Sequence, residues 1–188
     1  MAQMPPASST MTLGRYTPEA KSLVAGAQSI ADERHHAQVT PLHLLGQFLE
    51  RVDTFVELLR AAQIDVMALT TATTQRLAAM PTASEPSYLS TAMIDLLKRT
   101  EQRADLMRSE QVELEHLLHS LTQEIRGPAG DVLTASGIFP GSLEPHYGVL
   151  RRTKLLPAGQ NPGTNNPATL IDWVERARKG QLEPTVGR

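Results

Sequence analysis

The residues of this chain that could do chemistry are two histidines and a glutamate within one short stretch. His116 and His119 are three positions apart, and Glu115 lies four positions before His119, so a helix would place them on one face. Such a face could present ligands to a metal ion, but metal sites need three or four converging ligands. No further ligands converge on this stretch. The sequence therefore predicts no metal, and histidines that pack or form hydrogen bonds.

Other catalytic motifs are missing from the sequence. It contains no cysteine, no G-x-S-x-G nucleophile motif and no G-x-x-x-x-G-K-[ST] phosphate loop. The glycine-containing segment 159–164 lacks both the spacing and the lysine of that loop. Acidic neighbours such as Asp32 and Glu33 are typical of solvated helix faces. We therefore predict that this chain is not an enzyme and holds no cofactor.

Composition narrows the class of partner and the fold. Lys and Arg number 18 against 20 Asp and Glu, so the net charge of −2 gives no electrostatic reason to expect nucleic acid. No run of eighteen apolar residues occurs, and residues 1–14 do not read as a signal peptide, so no membrane contact is predicted. The absence of cysteine fits the cytoplasm. Aromatics are only 4% of residues, and abundant Leu, Ala and Met predict an all-α fold.

The elements that must position the histidines occur twice along the chain. Residues 39–45 return as residues 112–118, which places His43 and His116 at the same point of two repeats that are offset by 73 residues. The match extends outward, and one inserted residue changes the offset to 74 near the end of each half. Two copies are too few for a solenoid. We predict one domain of two similar halves related by a pseudo-twofold axis, with repeats at about 16–80 and 89–152.

Each half is expected to contain four helices, about eight in all. N-cap residues followed by apolar residues at helical spacing mark most of their starts. The expected helices span about 17–34, 40–49, 54–62, 66–80, 90–107, 112–123, a short segment around 132–133, and 141–150 with Ser142 as its cap. Residues 1–14 are expected to be a disordered lead, 15–152 the double-repeat domain, 153–167 a flexible linker rich in Pro, Gly and Asn, and 168–188 a further helix and junction.

Together these features resemble the N-terminal domain of the Clp family of AAA+ unfoldases and disaggregases. In each half a capped helix with an alanine-rich stripe is followed by a Val-x-x-x-His-Leu-Leu block. The segment from Trp173 to Arg188 resembles the junction at which such proteins enter their first ATPase module, usually written LTexAxxGKLDPVIGR. Gln181 here stands for the usual Lys, and Glu183 for Asp. The resemblance covers about residues 15–188.

The resemblance implies a groove that receives unfolded or aggregated polypeptides, or an adaptor protein. Thr17 and Glu115 fall where the family has polar residues linked to substrate handling, although Thr17 could equally be only a helix cap. A further acidic position expected nearby is Ser109 here, with Glu110 beside it. The expected apolar groove residues are Tyr88, Leu89, Met93 and Leu97, with Leu114 as a neighbour. Ordinary core packing is the alternative for each of these apolar residues.

The resemblance also implies ATP with Mg in a homohexameric parent protein, no cofactor in this chain, and a monomeric fragment. It leaves several functions open. The first is substrate recognition in a ClpB-like disaggregase, and the second is adaptor binding in a ClpA- or ClpC-type unfoldase that feeds a protease. A secretion-associated ClpV type is disfavoured because residues 1–14 do not resemble an added docking helix. A stand-alone helical scaffold is the remaining alternative.

Overall fold

Helices make up most of the computed structural model, which describes residues 13–153 and residue 155. Its α-helices in this part of the chain are α1 (Pro18–Glu33), α2 (Pro41–Arg51), α3 (Asp53–Ala61), α4 (Val66–Ala78), α5 (Thr91–Leu106), α6 (Leu114–Thr122) and α7 (Gly127–Ala135). Two 3₁₀ segments, Leu13–Arg15 and Glu144–Arg152, and two short strands, β1 (Gln38–Val39) and β2 (Tyr88–Leu89), complete it. The predicted all-α fold is confirmed. None of the described helices is both long and apolar enough to cross a membrane.

Side-chain caps define where three of the helices begin. The side-chain oxygens of Thr17, Asp65 and Ser90 each accept the backbone N–H of the residue three positions ahead, at 3.3, 3.0 and 3.1 Å. These bonds satisfy amides that have no partner within the helix. Pro41 begins α2, where a missing N–H costs nothing. The predicted caps of α1, α4 and α5 are therefore confirmed.

His43 and His116 accept equivalent backbone hydrogen bonds in the two halves. In α2, Nδ1 of His43 accepts the backbone N–H of Thr40 at 3.0 Å. In α6, Nδ1 of His116 accepts the backbone N–H of Glu113 at 2.9 Å. Both imidazoles are buried, with exposed fractions of 0% and 1%. The sequence prediction that these histidines pack or form hydrogen bonds at equivalent places is confirmed.

The two halves exchange backbone pairs across the pseudo-twofold axis. β1 runs parallel to β2, with Val39 opposite Leu89. Tyr16 forms an isolated parallel bridge with Val112. Tyr16 is equivalent to Leu89, and Val112 to Val39, at the offset of 73. In each half, the segment before the first helix therefore pairs with the other half. The halves are therefore interlocked.

One apolar core is shared by both halves. Leu23 and Leu96, which are equivalent in the repeat, are both fully buried, and so are Leu45 and Leu118. Helix α1 packs on α2 and α5 packs on α6, while α2 also contacts α5 and α7 of the other half. Burying these aliphatic faces supplies the main stabilisation of the fold, at about 25 cal/mol for each Å² removed from water.

The closing helix that was predicted for 141–150 forms at Glu144–Arg152, with 3₁₀ rather than α-helical hydrogen bonding. Pro145 lies in the first turn of this segment, where a missing N–H is tolerated, whereas Gly148 in its middle disfavours a regular α-helix. Ser142 does not cap this segment; its hydroxyl accepts the backbone N–H of Phe139 at 3.1 Å.

The ends of the predicted domain lie slightly outside their expected bounds. Leu13, assigned to the disordered lead, belongs to a 3₁₀ segment and packs against the core. Thr153 and Leu155, assigned to the linker, lie on the domain: Thr153 contacts Thr54, and Leu155 pairs with Val52. The rest of the lead and the linker, and the whole C-terminal helix and junction, lie outside the described residues.

Candidate functional site

A groove of about 640 Å³ opens on one face of the domain. Its walls are the first turn of α1, the turn between α5 and α6, the start of α6, and the end of the last 3₁₀ segment. The residues that line it are Thr17, Glu19, Met107, Ser109, Glu113, Leu114, Glu115, His116, Leu150, Arg151 and Thr153. The groove therefore draws its surface from both halves of the repeat.

Backbone pairing holds the two helix starts side by side. The N–H of Thr17 donates to the carbonyl of Val112 at 3.0 Å, and the N–H of Val112 donates to the carbonyl of Arg15 at 2.8 Å. The Arg15 guanidinium also forms an ion pair with Asp105 at 2.7 Å, which ties the end of α5 to the same place. The groove is thus built on the exchange of segments between the halves.

Acidic side chains dominate the charge of the groove. Glu19, Glu113 and Glu115 line it, against the single arginine Arg151. The side chain of Glu115 is only 12% exposed and lies in the first turn of α6, where the positive end of the helix dipole stabilises a carboxylate. Apolar surface comes from Leu114, Leu150 and Met107. This combination suits a ligand that is apolar in part and not anionic.

The two histidines of α6 have different surroundings. Burial lowers the pKa of His116, and the nearby Glu115 opposes that effect. Burial, with help from Arg103, also lowers the pKa of His119, whose Nδ1 lies 2.9 Å from a carboxylate oxygen of Glu144. Among the described residues, no group of three or more His, Asp or Glu side chains is placed to hold a metal ion.

The structure brings together three of the seven residues that the sequence nominated for binding. Thr17, Leu114 and Glu115 line the groove, and Thr17 is a helix cap as well. Ser109, which stands where the family has an acid, also lines it.

The other four nominated residues lie elsewhere. Tyr88 is 59% exposed and Leu89 half-buried on β2, where the Tyr88 hydroxyl accepts a hydrogen bond from Gln38 at 2.7 Å. Met93 and Leu97 are fully buried in the core and are not among the residues that line the groove. Helical spacing finds the inward stripe of α5 but does not say whether that stripe meets a core or a groove.

The sequence reasoning missed several lining residues that are close in sequence to the nominated ones that line the groove. Glu19 is two residues after Thr17, and Glu113 and His116 flank the 114–115 pair. The signal that could have found them is the pairing of two helix starts, since first-turn residues of adjacent helices share one surface. Nothing in the repeat pattern indicated that the segment with Leu150 and Arg151 would close the groove.

Comparison with known proteins identifies a family for this domain. Residues 15–136 match the family model of the Clp repeat (R) N-terminal domain. The chaperone protein ClpB of Rhodopseudomonas palustris is 29% identical over 185 residues, which are 95% of this chain and 21% of that protein. ClpB of Propionibacterium freudenreichii is 28% identical over 185 residues, again 95% of this chain and 21% of that protein. The chain thus spans about a fifth of the length of these curated relatives.

Solved structures share the fold. The N-terminal domain of ClpV1 ATPase from E. coli EAEC is 25% identical with a TM-score of 0.59, and the match covers 81% of this chain and 93% of that one. The Hsp104 N-terminal domain from Candida albicans has a TM-score of 0.62 at 16% identity, covering 80% of this chain and 99% of the other. Since the family model covers well over half of the sequence, the chain belongs to the Clp repeat (R) N-terminal domain family.

Proposed function

We propose that this domain recognises protein substrates or adaptors for an ATP-dependent, ClpB-like chaperone that remodels misfolded or aggregated proteins. The groove of Thr17, Leu114 and Glu115 is the contact site. The ATPase activity, the Mg-ATP site and the homohexamer belong to the parent protein in this proposal, and its location is the cytoplasm. The domain itself is a monomer whose task is binding.

The observation that carries this proposal is the composition of the groove. It combines the apolar side chains of Met107, Leu114 and Leu150 with acidic ones, and its volume of about 640 Å³ suits a few side chains of another polypeptide. At its edge Met107 is 48% exposed, and the adjacent Leu106 is 80% exposed. Exposed apolar side chains beside a concave surface are typical of a site for weak protein contacts. An unfolded client presents such apolar segments, whereas a folded protein buries them.

A second candidate function has its own support. Two solved structures that are 25–26% identical to this chain come from the type VI secretion system of E. coli EAEC, one being the ClpV1 N-terminal domain and the other named for a peptide of the SciI protein. The alternative is therefore a ClpV-type domain that binds a defined peptide of a secretion component. Both functions would use the same groove, but they differ in whether binding depends on one peptide sequence.

Titration of the ¹⁵N-labelled domain, followed by amide NMR, tests the proposal. With a permanently unfolded model protein, we expect shifts at Thr17, Leu114 and Glu115. A ClpV-type domain would instead respond strongly to the SciI peptide and weakly to the unfolded protein. An adaptor-binding domain of the ClpA or ClpC type would respond only to a folded adaptor.

Two variants show whether the groove is the site of binding. Glu115→Gln removes one of the charges that line the groove and should weaken binding of the unfolded protein about threefold to tenfold, since a contact of this kind contributes about 1 kcal/mol. Tyr88→Ala, which alters an exposed residue outside the groove, should leave binding unchanged. If Tyr88→Ala weakened binding and Glu115→Gln did not, the groove would be the wrong surface.

A further inference from the structure

The fold uses only one of the two ring nitrogens of His116. Nδ1 accepts the backbone N–H of Glu113 at 2.9 Å, so the proton of the neutral imidazole resides on Nε2. The side chain is 1% exposed, and within the described residues its Nε2 has no hydrogen-bond partner. The nearest carboxylate oxygen, on Glu115, is 3.9 Å away, which is too far for a hydrogen bond. A buried donor without an acceptor costs free energy, so its presence needs a reason.

The first half of the repeat shows how the fold can satisfy this nitrogen. There, Nε2 of His43 lies 2.8 Å from Nδ1 of His36, and because Nδ1 of His43 is an acceptor, Nε2 donates. His36 is itself buried, with an exposed fraction of 3%. In the first half, both ring nitrogens of His43 therefore have hydrogen-bond partners within the domain.

The residue equivalent to His36 in the second half is Ser109, at the offset of 73. The backbone supports this equivalence, because the preceding residues, His35 and Arg108, both have positive φ values of 56° and 54°. The Ser109 hydroxyl donates to the carbonyl of Gln111 at 2.7 Å. The second half has therefore lost the acceptor for His116.

The same exchange opens space at that place. A serine is much smaller than a histidine, and both Ser109 and His116 line the groove. In the first half, the connector between the halves covers the equivalent surface: Thr82 pairs with His36, and the N–H of Ala83 donates to the carbonyl of His35 at 2.7 Å. The groove thus lies where the second repeat differs from the first, and one of the residues that line it is His116, whose Nε2 has no hydrogen-bond partner among the described residues.

We propose that Nε2–H of His116 donates a hydrogen bond to a main-chain carbonyl of the bound polypeptide. This inference depends on the proposed function and defines its chemistry: the ligand supplies the acceptor that His36 supplies in the other half. A neutral acceptor is favoured over an anion because Glu19, Glu113 and Glu115 line the groove and would repel phosphate or carboxylate. The apolar wall of Leu114 and Leu150 then accommodates the neighbouring side chain of the ligand.

The imidazole resonances of His116 in the unaltered protein give the first test. The permanently unfolded model protein should shift the Nε2 and attached proton resonances of His116 downfield, as expected for a new hydrogen bond, and should leave those of His43 in place. A shift on adding inorganic phosphate, without one on adding the unfolded protein, would indicate an anion site and overturn the proposal.

The variant Ser109→His provides the second test, because it restores the arrangement of the first half. The new imidazole should accept the bond from His116, leave the thermal midpoint unchanged or higher, and weaken binding of the unfolded protein about tenfold or more, since it fills the groove as well as removing the donor. His116→Asn keeps an acceptor near the position of Nδ1 but removes Nε2–H, and should weaken binding about fivefold to tenfold.

The matched control is His43→Asn, which makes the same change at the equivalent position of the first half. His43 does not line the groove, so this variant should leave binding within about twofold. Amide spectra of each variant check that it is folded. If the unfolded protein shifts the groove amides of the unaltered domain while the His116 ring and the Ser109→His affinity do not respond, this inference fails and the proposed function stands. If the groove amides themselves do not shift, both fail.

Discussion

Acid should destabilise this domain through the buried histidine pair of His36 and His43. Burial, reinforced by the neighbouring His36, lowers the pKa of His43 to about 4 in the folded state. In the unfolded chain, the pKa of a histidine is about 6.5. The unfolded state therefore binds a proton between these values while the folded state does not, so the stability that His43 contributes is complete above pH 6.5 and is lost as the pH falls towards 4.

The size of the effect follows from the pKa difference. One pKa unit corresponds to about 1.4 kcal/mol, so His43 alone should account for a loss of about 3 kcal/mol between pH 6.5 and 4. Burial also lowers the pKa values of His36, His116 and His119, so their contributions have the same sign. A loss of several kcal/mol is large beside the roughly 5–15 kcal/mol that stabilises a typical domain.

Urea unfolding at a series of pH values between 7 and 4 measures this effect. The variant His43→Asn should be less stable than the unaltered protein at pH 7, because it loses the hydrogen bond to His36. The gap between the two should shrink by about 3 kcal/mol as the pH falls to 4, because the variant has no group at this position to protonate. Leu45→Ala on the same helix is the control, since a cavity at a fully buried leucine should lower stability about equally at every pH. A gap for His43→Asn that stayed constant with pH would refute the reasoning.

Five other substitutions test the packing and the caps. Gly130→Ala should destabilise the domain by about 1–3 kcal/mol, because a Cβ there would lie 2.6 Å from the backbone carbon of Ile125. Gly148→Ala should cost much less, because no atom lies within 4 Å of the added group. Thermal unfolding of the two variants measures the difference. Thr17→Ala and Ser90→Ala should each lower the free energy of unfolding by about 1 kcal/mol, because the two residues are equivalent helix caps. Only Thr17 lines the groove, so only Thr17→Ala should also weaken binding of the unfolded protein. Equal binding by both variants would argue against the groove. Leu118→Ala should cost about 2–5 kcal/mol in urea unfolding; a smaller loss would mean that the core relaxes around this position.

The two repeats have diverged in the way that a site can arise within a symmetric fold. His43 and His116 keep their backbone task, because each helix start needs an acceptor for the amide at its N-cap. The partner of the second ring nitrogen is under no such constraint. A serine at position 109 therefore leaves the backbone hydrogen bond of His116 intact.

Local interactions were the most predictable part of the structure. The caps Thr17, Asp65 and Ser90 depend only on residues three positions away, and sequence spacing is enough to identify them. The segment after Ser142 is helical, as predicted, but it is a 3₁₀ helix and Ser142 does not cap it, since apolar spacing does not distinguish the two kinds of helix.

The sequence by itself determined the double repeat, the helical class, the family and the role of the equivalent histidines, since all of these are recorded in spacing along the chain. Only the tertiary structure decided which surface is open. Met93 and Leu97 carry the same periodic signal as groove residues but face the core. The groove forms where α1, α6 and the segment with Leu150 meet, far apart in sequence. A groove is defined by distances between such segments, and periodicity within one helix contains no information about those distances.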